Sequence, residues 1–119
     1  YRCAYLVKET DEKIDKQNIA EYEKSYTNDN FDEEVRNKLF SDASIISLEL
    51  YNQTILNNAS YINMDNNDWI KDNNEYKVMT MNNEFTSVDS AKTYIVLKLN
   101  GNVTVSGGNG TQLKPYVLN

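Results

Sequence analysis

The spacing of apolar residues changes character twice along this chain. In EKIDKQNIAEYEKSY, Ile14, Ile19, Tyr22 and Tyr26 recur at roughly helical intervals. Thr10 precedes them as a candidate N-cap, with Asp11 and Glu12 where a helix dipole favours anions. TNDN (27–30) reads as a stop. Phe31, Val35 and Leu39 then stand at i, i+4 and i+8, a narrow stripe predicting a short packed helix over 31–40 capped by Asn30.

Beyond residue 40 the pattern shortens. SIIS (44–47) predicts a short strand, and Ser47 can cap a helix carrying Leu50 and Tyr51. NNASYINMDNNDWIKDNNEY (57–76) is dense in Asn and Asp, which favour turns, so it predicts a loop with Trp69 pinned in it. EYKVMTM alternates as a strand with Tyr76, Val78 and Thr80 on one face, and MNNEF reads as a turn. In TYIVLKL-NG-NVTVSGG, two β-rich runs flank Asn100-Gly101, the pair preferred by a type I′ hairpin. That register sets Lys98 opposite Val103 and Val96 opposite Val105. The first run is apolar on both faces, so it is expected to be central.

The closing GGNGTQLKPYVLN predicts a tight corner at Gly107, Gly108 and Gly110, with several of these glycines at positive φ. Thr111 is expected to hydrogen-bond the corner, and Pro115 to lead into a short final strand. Tyr116 and Leu118 should share one side of that strand, with Tyr116 buried. YRCAYLV (1–7) fits either a strand or the downstream end of an apolar helix, and its apolar residues should pack. The expected fold is α+β: one domain, 1–119, with two N-terminal helices packed on a small antiparallel sheet with a C-terminal hairpin, the helical part covering about 8–40 and the strand and loop part about 44–119.

Composition narrows the function. With 12 basic and 18 acidic residues the net charge is −6. No basic face is available for nucleic acid or for an anionic membrane surface, so neither partner is expected. There is no histidine to act as base or metal ligand, and Cys3 has no internal partner. Asn is abundant and Lys far outnumbers Arg, a bias towards AT-rich codons that points to a low-GC bacterium. Asn-x-Ser/Thr triplets at Asn52, Asn58, Asn102 and Asn109 occur about as often as chance allows. The chain begins at Tyr1 rather than Met, so an anchor or apolar helix is expected upstream if the protein has one.

Asp65, Asp68, Asp72 and Glu75 crowd one polar stretch, and oxygen ligands suit Ca²⁺. The alternation and glycine of an EF-hand loop are absent, so a solvated acidic loop is expected there and no metal site. No spacing sets a glycosidase-like carboxylate pair, no serine or cysteine has a histidine partner, and GGNG lacks the Lys-Ser/Thr of a phosphate loop. Catalysis is not expected, nor any cofactor. The residues suited to binding are Tyr61, Asp65, Asp68, Trp69 and Tyr76, as a sugar-stacking or protein-contacting patch, with core aromatics as the plainer reading of the rings.

VLKLNGNVTVSGGNGTQLKPYVL resembles the C-terminal signature of extracellular domains common in low-GC Gram-positive bacteria and mollicutes. Asn100, Gly101, Gly107, Gly108, Gly110, Thr111, Pro115 and Tyr116 carry the motif, in which a turn precedes Gly-Gly-x-Gly-Thr and Pro-Tyr. IISLELYN, and SYIN followed by Trp69, are similar to upstream segments of the same proteins, whereas Tyr94-Ile95 stand where that family has Arg-Pro. The resemblance covers about residues 44–118. It implies a secreted or surface-anchored protein, sometimes pilin-like, without catalytic residues. Two functions are therefore expected: a cell-surface binding or adhesion domain with a protein or glycan partner, or a pilin-like, self-assembling filament subunit.

Overall fold

The computed structural model describes residues 2–3, 6–56, 67–80, 82–110 and 113–119. Tyr61, Asp65 and Thr111 lie outside the described residues. The fold is predominantly sheet, which overturns the expected pair of helices on a small antiparallel sheet. Its strands are β1 (Arg2–Cys3), β2 (Val7–Glu9), β3 (Ile14–Asp15), β4 (Phe40–Ile45), β5 (Asp68–Asp72), β6 (Glu75–Met79), β7 (Phe85–Thr86), β8 (Ser90–Leu99), β9 (Val105–Gly107) and β10 (Tyr116–Leu118). Among the described residues three short helices accompany them: α1 (Ile19–Asn30), α2 (Glu33–Lys38) and α3 (Leu48–Leu56).

The organiser is β8, the ten-residue strand that is apolar on both faces. Its edges are taken by β2 and β3 in succession, by β4, and in parallel by β5. With β6 and β7 beyond β5 this makes a seven-stranded mixed sheet. Thr10 holds the break between β2 and β3 on that edge: its N–H donates to Thr93 O (2.9 Å), and its hydroxyl accepts from Thr93 N–H (3.1 Å).

Ile14 is therefore a strand residue paired with Ala91, and α1 starts only at Ile19. Its spacing to Ile19 misses the i, i+4 rule, and pairing with β8 outweighs the loose helical pattern. The expected stop at 27–30 is also corrected: α1 runs through it, with Asn30 Nδ2 donating to Tyr26 O (2.8 Å). The cap of α2 is Asp32 rather than Asn30; Asp32 Oδ1 accepts from Val35 N–H at 2.9 Å. The predicted stripe of Phe31, Val35 and Leu39 does pack as a unit, beside Phe40 and Leu118.

The Asn100-Gly101 hairpin does not form. The chain turns there, with Val103 N–H donating to Asn100 O (2.9 Å). However, neither Asn100 nor Gly101 takes a positive φ, as type I′ requires. Both edges of β8 are already occupied, so β9 pairs with β10 instead, and β10 with β1, in a separate three-stranded sheet. The two chain ends are thus zipped together. The glycine corner follows expectation, with Gly108 at φ +87 and Gly110 at φ +85. Leu118, not Tyr116, is the buried plug; Tyr116 is half-buried and its ring lies over Gly110.

The seven-stranded sheet has two covered faces. Ile45, Trp69, Val78, Ala91 and Ile95 pack on one, against Ile19, Tyr22 and Tyr26 of α1. Ile46, Ile70, Met79 and Tyr94 pack on the other, against Leu48 and Tyr51 of α3.

Candidate functional site

The acidic stretch expected to be a loop is, from Asp68, a hairpin. Asp68 to Asp72 pair with Met79 to Glu75, and Asn73 (φ 48) and Asn74 (φ 69) form the connection. Positive φ at both central residues is the type I′ arrangement, which Asn tolerates. The turn geometry that the sequence suggested at Asn100-Gly101 is found here instead.

Because strand side chains alternate, the hairpin presents two different faces. Trp69, Lys71, Tyr76 and Val78 face α1. Trp69 is buried and donates its indole N–H to Ile14 O at 2.8 Å. Glu23 of α1 gathers the polar groups on this side, accepting from Ile45 N–H (2.8 Å), from Lys71 Nζ (2.9 Å) and from the Tyr76 hydroxyl. Burial pushes the Glu23 carboxyl up, but Tyr76, Ile45 N–H and Lys71 together hold it below its ordinary value. Burial and the bond to Glu23 raise Tyr76 to about 12. These bonds tie helix to sheet; the Trp69 ring is buried and the Tyr76 ring half-buried.

Asp68 faces the opposite way, towards α3. It is 0% exposed, and neither carboxyl oxygen receives a hydrogen bond. Burial raises its carboxyl to about 7; the nearby Glu9 carboxylate adds to the rise and Lys92 opposes it. Lys92 is its register partner on β8, while Glu9 reaches the same face from β2, opposite Tyr94. Tyr51 of α3 is close enough to feel the Asp68 charge, and with its own burial this raises the phenol to about 12. The helix is set over this site by Ser47, whose hydroxyl accepts from Leu50 N–H (3.1 Å) as the sequence predicted.

Of the expected binding residues, the structure thus separates Asp68 from Trp69 and Tyr76 by the thickness of the sheet. The solvated-loop expectation fails for Asp68, because the strand pairing that begins there carries it under α3. Glu9 and Lys92 were not singled out in the sequence, and Tyr51 and Asn52 were not read as site residues; strand register brings Glu9 and Lys92 to this face, and α3 carries Tyr51 over it.

A surface groove of about 490 Å³ is lined by Thr10 to Asp15, Asn18 and Tyr22; its carboxylates Asp11, Glu12 and Asp15 are exposed. Among the described residues no group of three or more His, Cys, Asp or Glu gathers as a metal cluster, and no helix is long and apolar enough to cross a membrane. Compared with models of known protein families, with curated proteins and with solved structures, the chain matches none.

Proposed function

We propose that this chain is a non-enzymatic binding domain of a cell-surface or secreted protein, engaging a protein or glycan partner. The observation that carries the reading is the outer edge of the seven-stranded sheet. There, among the described residues, β7 pairs only with β6, and Phe85 is 50% and Val88 43% exposed within four residues of each other. Lys77 Nζ lies 4.8 Å from the Phe85 ring centroid and is held there by Asp72 Oδ2 (3.0 Å), so the exposed ring is backed by an ion pair. Exposed apolar residues on a sheet edge are a ready contact for a partner strand or a sugar face. The extracellular placement rests on the resemblance of the Gly107–Tyr116 motif alone.

The filament reading draws support from a different edge. Among the described residues β1 is an outer strand of the three-stranded sheet, paired on one side by β10, and its other side would take a neighbouring subunit.

Beads coated with the domain test the first reading, with adhesion measured on immobilised host cells, matrix proteins and glycans. Wild-type beads should adhere, and Phe85→Ser with Val88→Ser should reduce adhesion severalfold while leaving the melting temperature unchanged. Adhesion no greater than that of an unrelated acidic domain would refute the binding reading. Concentration-dependent growth of long oligomers would favour the filament.

A further inference from the structure

We propose that Asp68, Glu9 and Asn52 form a site for a hard cation of the calcium class, held between α3 and the seven-stranded sheet. Asp68 contributes two oxygens that are buried and receive no hydrogen bond. Glu9 Oε2, on the same face across β8, is likewise buried without a donor. Asn52 stands four residues after Leu48 and next to Tyr51, on the side of α3 that packs against the sheet, and its Oδ1 is buried without a donor. Among the described residues, every buried carboxylate or amide oxygen lacking a donor belongs to one of these three side chains, and no buried side-chain nitrogen lacks a partner.

Such a set is costly if left alone, at about 1–3 kcal/mol for each unsatisfied group and more when charged. Hydrogen-bond donors would match an anion or a phosphate; acceptor oxygens alone match a hard cation. Two carboxylates supply charge, the Asn52 oxygen and the nearby Tyr51 hydroxyl supply neutral oxygen, and backbone carbonyls or water complete such a shell. The groups facing Asp68 are Glu9 from β2, Lys92 from β8 and Tyr51 from α3; its opposite number on β6 is the apolar Met79. Lys92 is half-buried and donates no hydrogen bond to either Asp68 oxygen, so it neutralises the site only in part. A proton competes for Asp68, and binding therefore strengthens as pH rises through 7.

The test is thermal unfolding of the whole chain, first in chelator and then in calcium chloride at matched ionic strength, at pH 8 and at pH 5.5. Calcium is expected to raise the melting temperature by several degrees at pH 8, in a concentration-dependent way, and by less at pH 5.5. Asp68→Asn, which keeps the shape of the protonated side chain, should abolish the response, and Glu9→Gln should reduce it at least tenfold in calcium concentration. Calorimetric titration should give one site per chain. No calcium response of the wild type at pH 8, or an equal response in Asp68→Asn, would overturn the proposal.

Discussion

Asp68 and Trp69 are neighbours in the chain and lie on opposite faces of the sheet, both buried, one beneath α3 and the other beneath α1. The two residues play unlike parts. Trp69 closes a hydrogen bond to Ile14 O, and Asp68 carries a carboxyl that no hydrogen bond satisfies.

Trp69→Phe removes the donor that Ile14 O accepts from across the fold. The expected loss is about 1–3 kcal/mol, measured by denaturant unfolding. Trp69 is the only tryptophan, so its fluorescence reports this face alone. Blue-shifted native emission that moves red on unfolding is expected, and solvent-like native emission would refute the packing.

Glu23 and Asp68 act on stability with opposite signs. The Glu23 carboxyl is held below its ordinary value, so its contribution is present above about pH 4.5 and is lost as pH falls further. The Asp68 carboxyl is raised, so its contribution is complete below about pH 4 and is lost as pH rises through about 7. Together they set a stability maximum near pH 4, roughly, in metal-free buffer. Glu23→Gln should flatten the acid limb. Asp68→Asn should flatten the alkaline limb and exceed wild type at pH 8 by roughly 2–4 kcal/mol. Melting temperatures across pH 3–9 check both limbs.

The glycine corner separates strain from mere exposure. A Cβ on Gly108 would lie 2.0 Å from Pro115 O, at φ +87, whereas a Cβ on Gly107 meets nothing within 4 Å. Gly108→Ala should cost about 2 kcal/mol or more, through the left-handed backbone and the clash. Gly107→Ala should change stability by less than about 0.5 kcal/mol. Equal effects would mean that the corner is not turned as described.

Leu118→Ala should cost about 2–5 kcal/mol, and Tyr116→Ala clearly less, because Leu118 is the residue sealed against Leu39 and Phe40. Parallel chemical denaturation of the two variants decides between them.

Local chemistry was legible wherever it did not depend on a distant partner. The stripe of Phe31, Val35 and Leu39, the Ser47 cap, the alternation through Tyr76 and Val78, the centrality of Ile95 to Leu99 and the glycine corner all follow from spacing and propensity. Strand partners were not legible. The strands that claim β8 come from residues 7–9, 14–15, 40–45 and 68–69, and once they fill both its edges no local turn preference at Asn100-Gly101 can recruit Val105. The Asn73-Asn74 turn was hidden because Asn and Asp run on both sides of it, so no contrast marks where strand gives way to turn. The Asp68 site was illegible because Glu9 and Lys92 reach it through pairings that periodicity does not encode.

The most direct test of the two-faced hairpin is the titration of the Asp68 carboxyl itself, followed by carbon NMR of the chain in chelator. Burial beneath α3 beside Glu9 predicts a midpoint at about 7. A midpoint near 3.8, the ordinary aspartate value, would place this side chain in solvent and contradict the account.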